Sequence, residues 1–186
     1  AVHNYETPDK AWPSWPGIAV DGSRVYRLRW MNTPAFTDVF YHDKAAPSEA
    51  YPLTGNWMGF GFNEGKFLLT TPNGTLVWTS LNGIYSFTND TTYQVGAAPG
   101  GPIDGLAADD NYVYIAIKSS GFAWWQIRRY PILGGPPVVV ADHQWNPRHL
   151  RVDATHLYWF NEGFKFTTSN PGIPGVVEKA ILRMPK

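Results

Sequence analysis

Four internal repeats predict an all-β fold, a four-bladed β-propeller. Each repeat has a small or apolar lead, an acidic or amide residue at its fifth position, a short turn and an apolar pair. The four segments are GIAVDGSRVY at 17–26, GFGFNEGKFL at 59–68, GLAADDNYVY at 105–114 and HLRVDATHLY at 149–158. Their fifth residues, Asp21, Asn63, Asp109 and Asp153, are 42, 46 and 44 residues apart. A period in the forties built from short strands is typical of propeller blades.

The third repeat shows how each blade divides into strands. Its runs of β-branched and aromatic residues are separated by Gly, Asn, Asp and Pro, and they span 103–109, 112–118, 124–132 and 136–142. This is the pattern of successive strands joined by tight turns. In the second repeat the same alignment places the first strand at 58–63 and the second at 66–71. We expect the Asp and Asn at the fifth positions to cap the turns between the first two strands.

The fourth repeat lacks an outer strand, and the N-terminal residues are available to supply it. Pairing of residues 1–7 with the blade that ends at Lys186 would remove the free sheet edges. We therefore predict a single domain over 1–186, a ring closed by the N-terminal strand. The predicted blades span 14–55, 56–101, 102–146, and 147–186 together with 1–7. The alternative is a half-ring that dimerises into eight blades.

The charge balance excludes several classes of partner. Lys and Arg together number 15, as do Asp and Glu, so no net field attracts nucleic acid or an anionic membrane surface.

The chain contains no Cys, which excludes a disulfide scaffold, a thiolate metal site and a Cys nucleophile. It begins AVHNYE without Met, as a secreted protein does after removal of a signal peptide, or as an expressed fragment does. We expect a secreted or extracellular protein.

No motif in the sequence predicts catalysis or a cofactor. The Gly-x-Ser-x-Gly elbow, the phosphate-binding loop and the HExxH motif are all missing from the chain. His143 and His149 are six residues apart, which is not an established metal-ligand spacing. The sequence therefore predicts no catalytic residues, no metal site and no cofactor. An enzyme remains an alternative, a lyase or hydrolase whose site lies at the channel mouth and depends on His149.

Aromatic residues before the first strands predict a ligand-binding surface. Trp15 and Trp57 each lie six residues before the anchor of their repeat, so they occupy equivalent positions at one mouth of the central channel. Trp145, Arg148 and His149 fall on the corresponding loop of the fourth repeat. Trp faces stack on sugar rings and bind cations. The alternative is that these Trp side chains pack between blades.

Two segments match the N-glycosylation acceptor pattern. They begin at Asn73, in Asn-Gly-Thr, and at Asn89, in Asn-Asp-Thr. Asn-Gly is also a strong signal for a hairpin turn, and matches this short arise by chance. Both residues are therefore possible glycosylation sites, with a turn as the alternative interpretation of Asn73.

The segment 128–163 resembles the repeat of bacterial secreted β-propeller proteins. Its RRYPILGG matches a pattern of the type R-x-P-L-x-G-G, and its VDATHLYW matches V-D-x-x-x-V-Y-W. The match is good in the third and fourth repeats, partial in the first and poor in the second. Hemopexin-like domains are similar only in size and blade number. The resemblance implies a secreted propeller and brings no catalytic residues with it.

These observations together predict a secreted, non-catalytic binding module, lectin-like in its use of aromatic loops. The expected partner is a glycan or another small ligand, with no nucleic acid and no membrane. A different function is self-association, in which the N-terminal strand pairs with a neighbouring molecule and builds an extracellular fibre or coat.

Overall fold

The structure, a computed structural model, describes residues 18–32, 35–53, 67–80, 83–97, 103–118, 124–163 and 179–186. These residues form strands, turns and irregular segments, and none of them is helical. The described part of the chain accordingly has no helix long and apolar enough to span a membrane. The all-β prediction is confirmed.

The strands form four antiparallel sheets that follow one another along the chain. The first sheet contains β1 (Ile18–Val20), β2 (Arg24–Asn32), β3 (Ala35–Asp43) and β4 (Ala46–Pro52). The second contains β5 (Leu68–Thr70), β6 (Leu76–Ser80), β7 (Gly83–Thr88) and β8 (Thr91–Ala97). The third contains β9 (Ile103–Ala108), β10 (Tyr112–Lys118), β11 (Trp125–Pro131) and β12 (Val138–Gln144). The fourth contains β13 (Pro147–Val152), β14 (His156–Asn161) and β15 (Ala180–Pro185).

The first strands of the sheets lie side by side in chain order. β1 contacts β5, β5 contacts β9, and β9 contacts β13. Hydrogen bonds join neighbouring sheets, from Thr70 Oγ1 to the Val20 carbonyl at 2.8 Å and from Ser86 Oγ to the Ile132 carbonyl at 2.6 Å. This propeller-like succession places the turn after each first strand on one common edge of the molecule.

The second sheet begins one strand later than the repeat alignment predicts. The segment predicted as its second strand contains β5, which among the described residues pairs with β6 and is the first strand of that sheet. Thr71, not Asn63, therefore occupies the place of Asp21, and its backbone N–H closes the turn onto the Thr75 carbonyl at 2.9 Å. The repeat alignment placed this turn eight residues earlier, at Asn63. Asn63 and the predicted strand at 58–63 lie outside the described residues.

The hydrophobic core lies between neighbouring sheets. One cluster joins the first and second sheets, a second joins the second and third, and a third joins the third and fourth. β6 contributes to two of them, because Trp78 faces the first sheet and Val77 faces the third. Successive side chains of a strand point to opposite faces, so an inner sheet buries both of its faces.

The first β-turn of three sheets is capped in the same way, as the sequence predicts for Asp21, Asp109 and Asp153. One carboxylate oxygen accepts the backbone N–H groups two and three residues later, at 2.7–2.9 Å. The other oxygen accepts the hydroxyl of the tyrosine five residues later, Tyr26 at 2.6 Å, Tyr114 at 3.2 Å and Tyr158 at 2.9 Å. The repeat therefore preserves a hydrogen-bonded clamp that fixes the turn to the second strand.

The clamp at Asp109 also joins two sheets. Lys186 donates from Nζ to Asp109 Oδ2 at 2.8 Å, and both side chains are largely buried. Burial by itself raises the pKa of Asp109, but the hydrogen bonds from Lys186 and from the backbone of Asn111 and Tyr112 outweigh it and lower that pKa below its usual value. The carboxylate is therefore ionised and holds the end of the fourth sheet against the third.

We expect Lys186→Met to lower the free energy of unfolding by about 1–3 kcal/mol, because it leaves a buried carboxylate without its cation. Lys44→Met is the matched control. Lys44 also follows the third strand of its sheet, but it is exposed and donates to backbone carbonyls, that of Asp21 at 2.6 Å and that of Gly22 at 3.4 Å. Urea denaturation of both variants checks this, and equal losses would contradict the role of the ion pair.

The same ion pair predicts how stability changes in acid. The folded pKa of Asp109 lies below the unfolded value of about 3.9, so its contribution is complete above that value and is lost as the pH falls through the folded pKa. The stability difference between the parent and Lys186→Met should therefore be constant at neutral pH and shrink below about pH 4. Denaturation curves across this pH range test the expectation, and a difference that persists in strong acid would refute it.

Candidate functional site

The predicted binding residues that the structure describes lie where the third sheet passes into the fourth. Trp145 is in the two-residue connection between β12 and β13, and Arg148 and His149 are in β13. Both of the latter are exposed. Trp15 and Trp57 lie outside the described residues. Three of the five predicted residues therefore lie within residues 143–149, which we call the 143–149 segment.

The backbone of this segment is unusual. His143, Asn146 and His149 have φ angles of 54°, 50° and 54°, in the left-handed region that residues other than Gly rarely occupy. Each such residue costs on the order of 1 kcal/mol, and side chains held in this way cluster at functional sites. Apart from this segment, the only described non-Gly residues with positive φ are Asn89 and Asp90, at a hairpin tip.

Two β-bulges account for the histidine conformations. Between β11 and β12 the register shifts so that Asp142 and His143 share the space of one partner residue, and between β13 and β14 a shift falls after Arg148. A bulge with a left-handed residue often uses Gly, and His is among the other residues that adopt this conformation. Bulges turn the strand locally and redirect the side chains of His143 and His149.

A polar network connects the segment to the end of β14. Glu162 accepts a hydrogen bond from the Nδ2 of Asn146, and its carboxylate lies 3.3 Å from Arg148 Nε. Deeper in the structure, Gln144 Oε1 accepts from Trp159 Nε1 at 3.0 Å and from Asn161 Nδ2 at 3.1 Å. These contacts attach the segment to β14, and the Glu162 carboxylate balances the charge of Arg148.

An aromatic pair, the half-buried Trp124 and the exposed His143, extends the surface. Trp124, the residue directly before β11, stacks on His143 with ring centroids 4.7 Å apart and planes 30° apart. The His143 side chain is 68% exposed, so one face of this pair meets solvent. Trp124 was not among the residues predicted from the sequence. It precedes its strand beside Trp125, and only the bulge at His143 brings it to the site.

A buried acceptor lies at the base of the segment. The Oδ1 of Asn161 is inaccessible and has no hydrogen-bond partner among the residues that the structure describes, although Asn161 itself is 6% exposed. A buried unsatisfied oxygen of this kind costs about 1–3 kcal/mol and is uncommon in native proteins. Within the described ranges no group of three His, Cys, Asp or Glu side chains is placed to hold a metal ion.

The two possible glycosylation residues lie far along the chain from this segment. Asn73 follows β5, and its Oδ1 accepts from Thr71 Oγ1 at 2.6 Å and from the Thr75 backbone at 3.0 Å. Its side chain therefore performs the turn function that the Asn-Gly pair indicates. Asn89 is exposed at the β7–β8 hairpin with φ of 48°. Both line one cleft of about 610 Å³ between the first and second sheets.

Comparisons with known proteins show the fold alone. No family model matches the chain, and no curated protein matches it significantly. Among solved structures, the computationally designed Ika4 protein is similar, with a TM-score of 0.60, 14% identity and coverage of 95% of this chain and 94% of that one.

Two natural structures are also similar over a part of their length. The first is the extracellular domain of the hybrid two-component system BT4673 from B. thetaiotaomicron, with a TM-score of 0.55, 12% identity and coverage of 89% of this chain and 23% of that one. The second is TolB from Acinetobacter baumannii, with a TM-score of 0.50, 14% identity and coverage of 80% and 40%. TolB contains a propeller, which agrees with a propeller-like arrangement of the four sheets. The chain spans less than half the length of both proteins.

Relief of the backbone conformation at His149 should stabilise the protein. We expect His149→Gly to raise the free energy of unfolding by about 0.5–1 kcal/mol, because Gly adopts a positive φ without steric cost. Arg151→Gly is the control, since Arg151 is exposed in the same strand and its φ is not positive, so Gly there should destabilise by about 1 kcal/mol. Chemical denaturation measures both, and equal destabilisation would show that His149 is not strained.

Proposed function

We propose that this protein is a non-catalytic binding module for carbohydrates, and that the 143–149 segment is its contact surface. The observation that carries the proposal is the set of three left-handed residues, His143, Asn146 and His149, in a segment whose exposed His143 stacks on Trp124. Stability would favour Gly at all three positions. Larger side chains held in this conformation cluster at ligand-binding sites.

The chemistry of the segment suits a sugar. The stacked Trp124 and His143 rings offer a flat apolar face of the kind that packs on the C–H face of a pyranose ring. Around it, Arg148 and Glu162 present donors and acceptors while neutralising each other. A neutral ligand rich in hydroxyl groups meets both features without leaving a charge unpaired. We further propose that the protein acts outside the cell, where free glycans are accessible.

The proposal predicts the effect of single substitutions on glycan binding. Trp145→Ala, Arg148→Ala and His149→Ala should each weaken binding at least tenfold, because each removes a contact worth about 1.4 kcal/mol or more. A glycan array identifies the ligand, and tryptophan fluorescence titration gives the affinity. Arg151→Ala is the matched control, since Arg151 is exposed on the same strand outside the segment.

Three outcomes separate the alternatives. Retention of full affinity by the three variants would refute this location of the site. Binding to no glycan, with tryptophan emission already fully blue-shifted, would favour the packing interpretation of the Trp residues. Turnover of a glycan that is lost in His149→Ala would replace the binding module with a lyase or hydrolase.

We propose in addition that the four sheets form one closed four-bladed ring. Among the described residues the fourth sheet has three strands where the others have four, and β15 has a strand only on one side. Ile181 in β15 is 78% exposed, an unusual state for a large apolar side chain in a sheet. Pairing of residues 1–7 with β15 would cover this edge.

Deletion of residues 1–7 should lower the melting temperature by about 5–10 °C, because it reopens a sheet edge worth 2 kcal/mol or more. Calorimetry and light scattering of both forms check this. An unchanged melting temperature would refute closure by this strand. Growth of the parent's mass with concentration, absent from the deleted form, would support head-to-tail assembly instead, and a fixed dimer would support the eight-bladed alternative.

A further inference from the structure

A recess opens on the opposite edge of the sheets from the 143–149 segment. It is a cleft of about 610 Å³, lined by the β1–β2 turn, the β5–β6 turn and the β7–β8 turn. In sheets whose strands follow chain order, these turns lie on one edge, and the connections that carry the 143–149 segment lie on the other. The volume falls within the range of about 300–1,000 Å³ that is usual for small-ligand sites.

The walls of the cleft are held rigidly. The Asp21 carboxylate fixes the β1–β2 turn through the backbone of Ser23 and Arg24, both at 2.7 Å, and through the Tyr26 hydroxyl at 2.6 Å. Burial and the hydrogen bond to Asp21 raise the pKa of Tyr26 to about 12, so its hydroxyl remains a donor at neutral pH. The backbone of Asn73 donates to Asp110 at 3.0 Å and fixes the β5–β6 turn to the third sheet. A prearranged wall of this kind reduces the cost of ordering on binding.

The charges along the cleft argue against ionic ligands. Arg24 lies 3.5 Å from Asp43 and 4.5 Å above the ring of Tyr41, so its positive charge already has partners and does not favour phosphate. Both oxygens of Asp21 accept hydrogen bonds, so this carboxylate is not free to ligate a cation. What the cleft offers is a set of polar groups at fixed positions, beside the partly buried ring of Phe87.

We infer that this cleft is a second carbohydrate site, specific for a short neutral oligosaccharide. Hydroxyl groups of such a ligand donate to the exposed Asp90 carboxylate and to the Ser23 hydroxyl oxygen, whose own proton points to Asp21, and accept from the amide of Asn89. Phe87 and Pro72 provide apolar surface for the C–H groups of a sugar ring. The cleft and the 143–149 segment would bind the same class of ligand, but they share no residues. Either site can therefore exist without the other.

The cleft can be blocked without strain. A Cβ added at Gly22 meets no atom within 4 Å, and its φ is not positive, so Gly22→Phe fills the recess and leaves the turn intact. Gly74 is unsuitable because its φ is 86°. Ala154 is the matched control position, since it follows Asp153 as Gly22 follows Asp21 and is exposed. Ala154→Phe therefore adds the same ring to the equivalent turn of the fourth sheet.

The experiment is a titration of the full chain, labelled with ¹⁵N, with cellobiose, maltose, lactose and N,N′-diacetylchitobiose. For at least one disaccharide, amide resonances of Ser23, Asn73 and Asn89 should shift in a saturable manner. Gly22→Phe should weaken that binding at least tenfold, whereas Ala154→Phe should change it less than twofold. Affinity should be unchanged by added sodium chloride, as expected of a neutral ligand.

Several results would overturn the inference. They are the absence of shifts at the cleft with every disaccharide, full affinity in Gly22→Phe, and a response of the same resonances to calcium chloride or sodium phosphate alone. Arg148→Ala separates the two sites. If Arg148→Ala loses all sugar binding and Gly22→Phe keeps its full affinity, the proposed function stands and the cleft is not a sugar site. If Gly22→Phe loses all sugar binding and Arg148→Ala keeps its full affinity, the cleft is a sugar site and the 143–149 segment is not.

Discussion

The structure depends on the burial of both faces of its inner sheets. Along β6, Leu76 and Trp78 pack toward the first sheet while Val77 packs toward the third. Along β10, Ile115 and Tyr114 divide in the same way between the second and fourth sheets. Because these side chains are almost completely buried, truncation of one to Ala costs about 2–5 kcal/mol and affects two sheets at once. No sheet can therefore shift independently of its neighbours.

This packing divides the molecule into a constrained centre and two edges where backbone freedom remains. On one edge the Asp–Tyr clamps keep the turns short and regular, and a cleft forms there between the turn after β1 and the turn after β5. On the other edge, bulges at His143 and His149 release the strands from strict pairing. The regular edge offers prearranged polar groups, whereas the irregular edge presents side chains at angles that a flat strand does not allow. Recognition of a ligand is favoured at both, for different physical reasons.

Close approach between sheets also explains where small residues are required. A Cβ at Gly105 would lie 2.6 Å from Leu150 Cδ1, so β9 and β13 are as near to each other as a side chain allows. A Cβ at Gly96 would likewise lie 2.6 Å from the ring of Tyr130. These contacts link the second sheet to the third and the third to the fourth. They hold in place the scaffold from which the 143–149 segment projects.

The sequence by itself determined the all-β class, the strands of the third sheet and the capping role of Asp21, Asp109 and Asp153. Strand alternation and turn capping are local properties, and the sequence records them directly. It misplaced the second sheet, because an eight-residue displacement from Asn63 to Thr71 changes strand pairing without changing local pattern. The sequence predicted Trp145, Arg148 and His149 as binding residues. Only the tertiary structure shows that Trp124 stacks on His143, that a bulge lies at His143, and that a cleft opens between two sheets. Bulges and clefts arise from the register and approach of segments distant in the chain, and no local pattern carries that information.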